Sequence, residues 1–226
     1  MPEWNELFAE EEFRWKIPQS EVIRFIVLLE NEFKERPLKI WDLCCGTGRH
    51  TVAAAERGHE VYGSDAAPRG IEYTQKWLCE KGLQAHLEIA DMVGCPWPET
   101  RFHGVFSWDA IHHNTLVNIQ KTVDTVYAHL LPSGMFMGAI LSDKAGGHDN
   151  GIEIEPGTRV ADQGIEKGVP HHYFDEAGIR ALFDNWEIVI LAERIVHYSE
   201  KCPEFWKITP FGFTKWYIIA RKPLSK

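Results

Sequence analysis

In the stretch IWDLCCGTGRHT, residues 40–51, an apolar run ends on Asp42 and then turns through Gly46 and Gly48. A glycine-rich turn after a strand commonly cradles phosphate on backbone N–H groups. Here an acid stands just before it, and a carboxylate beside a pyrophosphate costs on the order of several kcal/mol when poorly screened. Thr51 also stands where the dinucleotide fingerprint needs its third glycine, and no Gly-Lys-Ser/Thr follows to make a P-loop. The spacing points to a nucleoside ligand that carries positive charge and no phosphate. Two pairs of adjacent histidines, His112-His113 and His171-His172, are the other residues equipped for chemistry. Imidazole serves as proton acceptor, hydrogen-bond partner or metal ligand.

S-adenosylmethionine has the required electrostatics: a sulfonium and an ammonium beside one carboxylate. Asp42 attracts the cationic end, and Gly46 and Gly48 let the backbone approach without a Cβ. Asp65 follows the first glycine by about 20 residues, the separation at which an acid meets ribose hydroxyls. Asp91 is placed to take the adenine amine, with Met92 against the ring. Cys44, Ala66 and Trp108 complete the expected cofactor contacts.

These groups need a scaffold. LKIWDL, HEVYGSD, QAHLEIAD, HGVFSWDA and MFMGAILS read as strands, separated by helix-forming stretches, which implies crossover units and a parallel sheet. Val22, Phe25, Ile26, Leu29 and Phe33 form the stripe of an amphipathic helix ended by Pro37. Further helices are predicted from Pro68 to about Lys81, with Gly82 as stop, and from about Val117 to Leu131. RHTVAAAER is helix-forming, with Gly58 as its C′ residue. Asp42, Asp65, Asp91 and Asp109 end four successive strands and line one crevice. Residues 143–170 are polar and glycine-rich, a composition usual for lids and binding loops. Asp175 caps a helix to about Phe183, and WEIVILAERIVHY and KWYIIARK read as an antiparallel pair.

WDLCCGTGRHT, VYGSD, ADM, VFSWDAIHH and LLPSGMF, in that order and spacing, resemble the motifs of class I S-adenosylmethionine-dependent methyltransferases. The tail from GVPHHYF onward is similar to small-molecule branches that include the tellurite-resistance methyltransferases. The resemblance implies an α/β, doubly wound, mostly parallel seven-stranded Rossmann-like sheet with an antiparallel last strand. It implies one methyltransferase domain over 1–226: a helical cover (1–36), a cofactor-binding core (37–142), a lid-like insertion (143–174), and a closing helix and strand pair (175–226). Cys44 and Cys45 depart from the family's glycine motif, so the backbone there is expected to avoid positive φ. The absence of an N-P-P-Y-type run after the fourth strand argues against methylation of exocyclic amines on nucleic-acid bases.

Methyl transfer from a sulfonium is an in-line displacement, so alignment and exclusion of water are the protein's main tasks. His112 and His113 are the candidate catalytic bases. Trp15, His171 and His172 are candidate substrate contacts, and Trp4 and Phe8 belong to the aromatic cover. Cys44 and Cys45 are expected to be structural rather than nucleophilic. No metal is expected, since histidines from two loops carry no fixed ligand spacing.

At 226 residues, 44% apolar and 25% charged, the chain suits one soluble domain. A net charge of −9 argues against nucleic acid or an anionic membrane as main partner. The odd set of five cysteines contains no C-x-x-C pair, and no leader or membrane span is visible, so a cytoplasmic setting is expected. The expected activity is transfer to a small-molecule acceptor. The alternatives are a macromolecular acceptor, tRNA or protein, or a non-catalytic protein that binds the cofactor.

Overall fold

The structure is a computed structural model that describes residues 2–146, 148–164, 166–196 and 213–224. The chain opens with α1 (Pro2–Leu7), a 3₁₀ turn at Glu11–Phe13 and α2 (Ser20–Glu32). It continues through β1 (Lys39–Leu43), α3 (Arg49–Glu56), β2 (Glu60–Asp65), α4 (Pro68–Glu80), β3 (His86–Ile89) and β4 (Phe102–Trp108). Then come α5 (Leu116–His129), β5 (Leu130–Leu141), β6 (Ile152–Glu155), β7 (Thr158–Val160) and β8 (Pro170–His172). The last elements are α6 (Glu176–Leu182), β9 (Glu187–Val196) and β10 (Phe213–Arg221).

Seven strands form one sheet in the order β3-β2-β1-β4-β5-β10-β9. β1 to β5 pair in parallel, and β10 runs antiparallel to both of its neighbours. The central strands β1 and β4 are buried almost throughout because helices cover both faces. On one face, Val22, Phe25, Ile26 and Leu29 of α2 pack with Val52 and Ala54 of α3 and Trp77 and Leu78 of α4. On the other, Ile119, Val123 and Val126 of α5 join Ile179 and Leu182 of α6. Both stripes follow the helical period that buries one face. The strand order reverses at β1, so the carboxyl ends of β1, β2 and β4 flank the switch point where ligands bind in open parallel sheets.

The α/β reading, the parallel core and the antiparallel closing strand hold. Three details differ. α2 stops at Glu32, before Pro37, because Phe33 is already extended. α5 stops at His129, because Leu130 pairs with Phe102 and belongs to the sheet. The insertion is not a bare loop: β6, β7 and β8 form a three-stranded antiparallel sheet. Its strands are short, and the mostly exposed β6 turns into β7 through Gly157 at φ 77°, so no long apolar run announces them. His197 and Tyr198, expected to finish β9, lie outside the described residues. Among the described residues, no helix is long and apolar enough to cross a membrane.

Candidate functional site

The turn after β1 is built from its own hydrogen bonds. Asp65, at the end of β2, accepts from Gly46 N and Ala67 N, both at 2.8 Å, tying the turn to the start of α4. Ala66 lies half-buried between them. Gly46 and Gly48 adopt φ of 55° and 86°, values that favour glycine. A Cβ on Gly48 would come within 2.5 Å of the Thr74 side chain on α4. Gly48 therefore serves helix packing as well as any ligand. The space above Gly46 is taken by Phe8, whose Cζ lies 3.3 Å from where a Cβ would be. Asn5 Oδ1 accepts from Arg69 N at 3.0 Å and Arg14 lies over the Tyr73 ring, so the N-terminal segment is fastened to α4. Cys44 departs from expectation. It takes φ 61°, because the chain must reverse directly after β1.

The four acids differ in state. Asp42 is buried, and its Oδ2 accepts from Thr51 Oγ1 at 2.6 Å. Burial pushes its pKa up to about 7. Burial also raises Asp65 above the ordinary carboxylate value, against the pull of its two backbone donors. Asp91 is exposed, accepting from Val93 N at 3.0 Å, and Met92 is buried in the core. Asp109 is paired with Lys215 Nζ at 2.5 Å. Trp108 is half-buried between Tyr217 and His50. Burial pushes the Cys44 and Cys45 thiols well up, which keeps them protonated.

The two histidine pairs meet, in part. β8 approaches the turn after β4, and His172 N donates to His112 O at 2.8 Å. The rings of His112 and His113 are centred 4.2 Å apart, and those of His113 and His171 4.7 Å apart. All three are buried. Glu166, from the loop between β7 and β8, reaches His171 Nε2 at 2.9 Å and His113 Nε2 at 3.6 Å. Trp4 of α1 lies against His113, with centroids 5.2 Å apart. His172 points elsewhere, since neighbours on a strand face opposite ways. Its Nδ1 is 2.6 Å from Thr158 Oγ1 and its ring lies on Phe174. Trp15, at 54% exposure, lies under Arg49 and does not line this buried cluster. Burial lowers His112 well below the usual imidazole value and takes His113 down to about 3. Glu166, Thr51, Thr74 and Lys215 were not singled out by sequence. A lone glutamate in a polar segment carries no local signal of a partner 53 residues away.

A family profile described as a methyltransferase domain matches residues 40–134. Among curated proteins, the chain is 29% identical over 103 residues to the demethylmenaquinone methyltransferase of Thermus thermophilus, covering 45% of this chain and 46% of that one. It is 32% identical over 114 residues to the 18S rRNA (guanine-N(7))-methyltransferase bud23 of Schizosaccharomyces pombe, covering 50% and 40%. The chain spans about half the length of the curated relatives it matches. A solved S-adenosylmethionine-dependent methyltransferase from Methanosarcina mazei superposes with a TM-score of 0.69 at 18% identity, covering 88% of this chain and 98% of that one.

Proposed function

We propose that this chain, whose residues 40–134 are a methyltransferase domain on the class I S-adenosylmethionine-dependent methyltransferase fold, transfers a methyl group to a small-molecule acceptor. The observation that carries the reading is the pair of buried carboxylates, Asp42 and Asp65, at the ends of adjacent strands around the glycine turn. Burial raises the Asp42 pKa to about 7 even though Thr51 and Arg49 pull it down, so the carboxylate is only partly compensated. A positively charged ligand end beside it supplies the missing charge. Asp65 uses one lone pair of each oxygen on a backbone N–H and keeps others for ribose hydroxyls.

When bound, S-adenosylmethionine supplies a methyl group activated by a sulfonium. The protein's residues bind and orient. Asp42 and the glycine turn hold the cationic end, Asp65 and Ala66 the ribose, and Asp91 and Met92 the adenine, with Cys44 and Trp108 as the walls of the crevice. Phe8 and Trp4 exclude water from the side of α1. His112 and His113 border the acceptor. With a pKa of about 3, His113 is too weakly basic for efficient general-base work near neutral pH, and it serves as a neutral ring against the acceptor.

A small acceptor is favoured by the net charge of −9 and by the burial of the histidine cluster beneath α1. The second reading, a macromolecular acceptor, has one specific support, the rRNA methyltransferase among the relatives. Calorimetric titration tests the cofactor site. Asp65→Ala should weaken S-adenosylmethionine binding by about 1–3 kcal/mol through lost charge-assisted hydrogen bonds. An unchanged dissociation constant removes Asp65 from the site. Labelled cofactor offered with a metabolite extract, and separately with bulk RNA, then identifies the acceptor class.

A further inference from the structure

His171, Glu166 and His113 form a trio whose ligating atoms converge on one point. His171 Nδ1 lies 3.0 Å from Val169 O, and a carbonyl only accepts. A neutral imidazole has one N–H, so that proton belongs on Nδ1 and leaves Nε2 as a lone pair. Yet Nε2 faces Glu166 Oε2 at 2.9 Å, and a carboxylate also only accepts. Two acceptors at that distance need a cation between them. One extra proton would satisfy this pair alone. His113 Nε2 lies 3.6 Å from the other Glu166 oxygen, too far for a hydrogen bond, and in its Nδ1–H tautomer turns a lone pair to the same centre.

We propose that His113, Glu166 and His171 bind one divalent transition-metal ion, with Zn²⁺ the best match. Their ligating atoms all lie within 4.8 Å of one another. Tetrahedral Zn²⁺ with bonds of about 2.0–2.1 Å spaces its ligands roughly 3.3 Å apart. His171 Nε2 stands 2.9 Å from one Glu166 oxygen and His113 Nε2 3.6 Å from the other, so small side-chain adjustments bring both imidazoles to that spacing about one carboxylate oxygen. Two imidazoles and a carboxylate suit zinc, and three protein ligands leave a fourth position for an exogenous donor, the pattern of catalytic rather than structural zinc. The Val169 carbonyl fixes the His171 tautomer, the usual work of a metal ligand's second nitrogen partner. An independent sign lies beside the trio: His112 Nδ1 is buried with no hydrogen-bond partner, and its ring centre is 4.2 Å from that of His113.

The cluster adjoins the cofactor crevice through an aromatic chain. His113 meets Trp4, Trp4 meets Phe8, and Phe8 covers Gly46. The ion would therefore hold an anionic oxygen, nitrogen or sulfur of the acceptor, a consequence that rests on the methyltransferase reading. Metal binding itself does not rest on it.

The test uses the full chain, stripped with chelator and titrated with Zn²⁺, and with Co²⁺ as an optical probe. One equivalent should bind, with the visible bands of tetrahedral Co²⁺. His171→Ala and Glu166→Gln should each weaken Zn²⁺ binding by about 100-fold or more, at or above the upper end of what losing a supporting contact costs. His86→Ala, an exposed histidine on β3, should leave it unchanged. If His171→Ala does not fold, Glu166→Gln carries the comparison. Retained affinity in the variant that folds, or no stoichiometric binding by the wild type, overturns the proposal. So does a nitrogen NMR spectrum of the Zn²⁺-treated chain in which His171 bears protons on both ring nitrogens, the mark of a plain ion pair with Glu166. S-adenosylmethionine titrated into the stripped chain separates the two readings. Normal cofactor binding with no metal site sinks only the metal, and absent cofactor binding with an intact metal site sinks only the methyltransferase assignment.

Discussion

The glycine turn and the histidine cluster stand at the ends of neighbouring strands, β1 and β4, yet they are put together in opposite ways. In the turn, polar groups mostly find partners within a short reach: Asp65 with Gly46 and Ala67, and Asp42 with Thr51. In the cluster, three buried rings and a carboxylate come from the turn after β4 and from the insertion, with lone pairs left over. A turn tied by its own short-range bonds is rigid and recognises by shape and charge. A cluster short of donors is shaped for something that brings charge with it.

Three substitutions break or sharpen that contrast. The largest effect belongs to Gly48→Val, which forces a β-branched side chain to φ 86° and into Thr74. Backbone strain and overpacking together should cost about 4 kcal/mol, read as a lower urea midpoint. A variant as stable as the wild type would mean that the turn adapts and is not rigid.

Next comes Asp42→Asn. The folded chain holds the Asp42 proton to about pH 7, while the ordinary value is 3.8, so wild-type stability falls as pH rises between those limits. Asparagine removes that loss. At pH 8 the variant should be more stable by on the order of 4 kcal/mol, at pH 4 by little, and its affinity for S-adenosylmethionine should drop. Equal stability at both pH values would show that Asp42 is ionised in the folded chain without help. The smallest effect is expected of Trp15→Ala, within about 0.5 kcal/mol of wild type in stability, because the ring is largely exposed. A fall in turnover beyond tenfold would return Trp15 to the acceptor pocket that its sequence position suggested.

The same contrast explains what the sequence disclosed. The strands, the helix stripes and the glycine turn depend on neighbours close in the chain, and their residue types record that directly. Asp42, Gly46, Gly48 and Asp65 are legible because a strand end, a turn and the next strand end have fixed spacing. Glu166 is not, since its partnership with His113 needs β8 docked on the turn after β4. His172 misleads for the same reason: adjacent to His171 in sequence, it sits on the other face of a strand that only tertiary pairing creates. Cys44 misleads more locally. Its left-handed backbone is imposed by the reversal after β1, against the preference of its own side chain.

The seam of the insertion has a further consequence. Ser142, where the chain leaves β5, bridges to Phe174, where it returns, and Phe174 N also bonds Leu141 O at 3.0 Å. Departure and return are thus a single stitch, with the β6–β8 sheet hanging from it as an exchangeable cassette. Grafting a foreign segment between those two residues should leave the seven-stranded sheet folding unaltered, since both ends of the graft stay anchored at the same stitch.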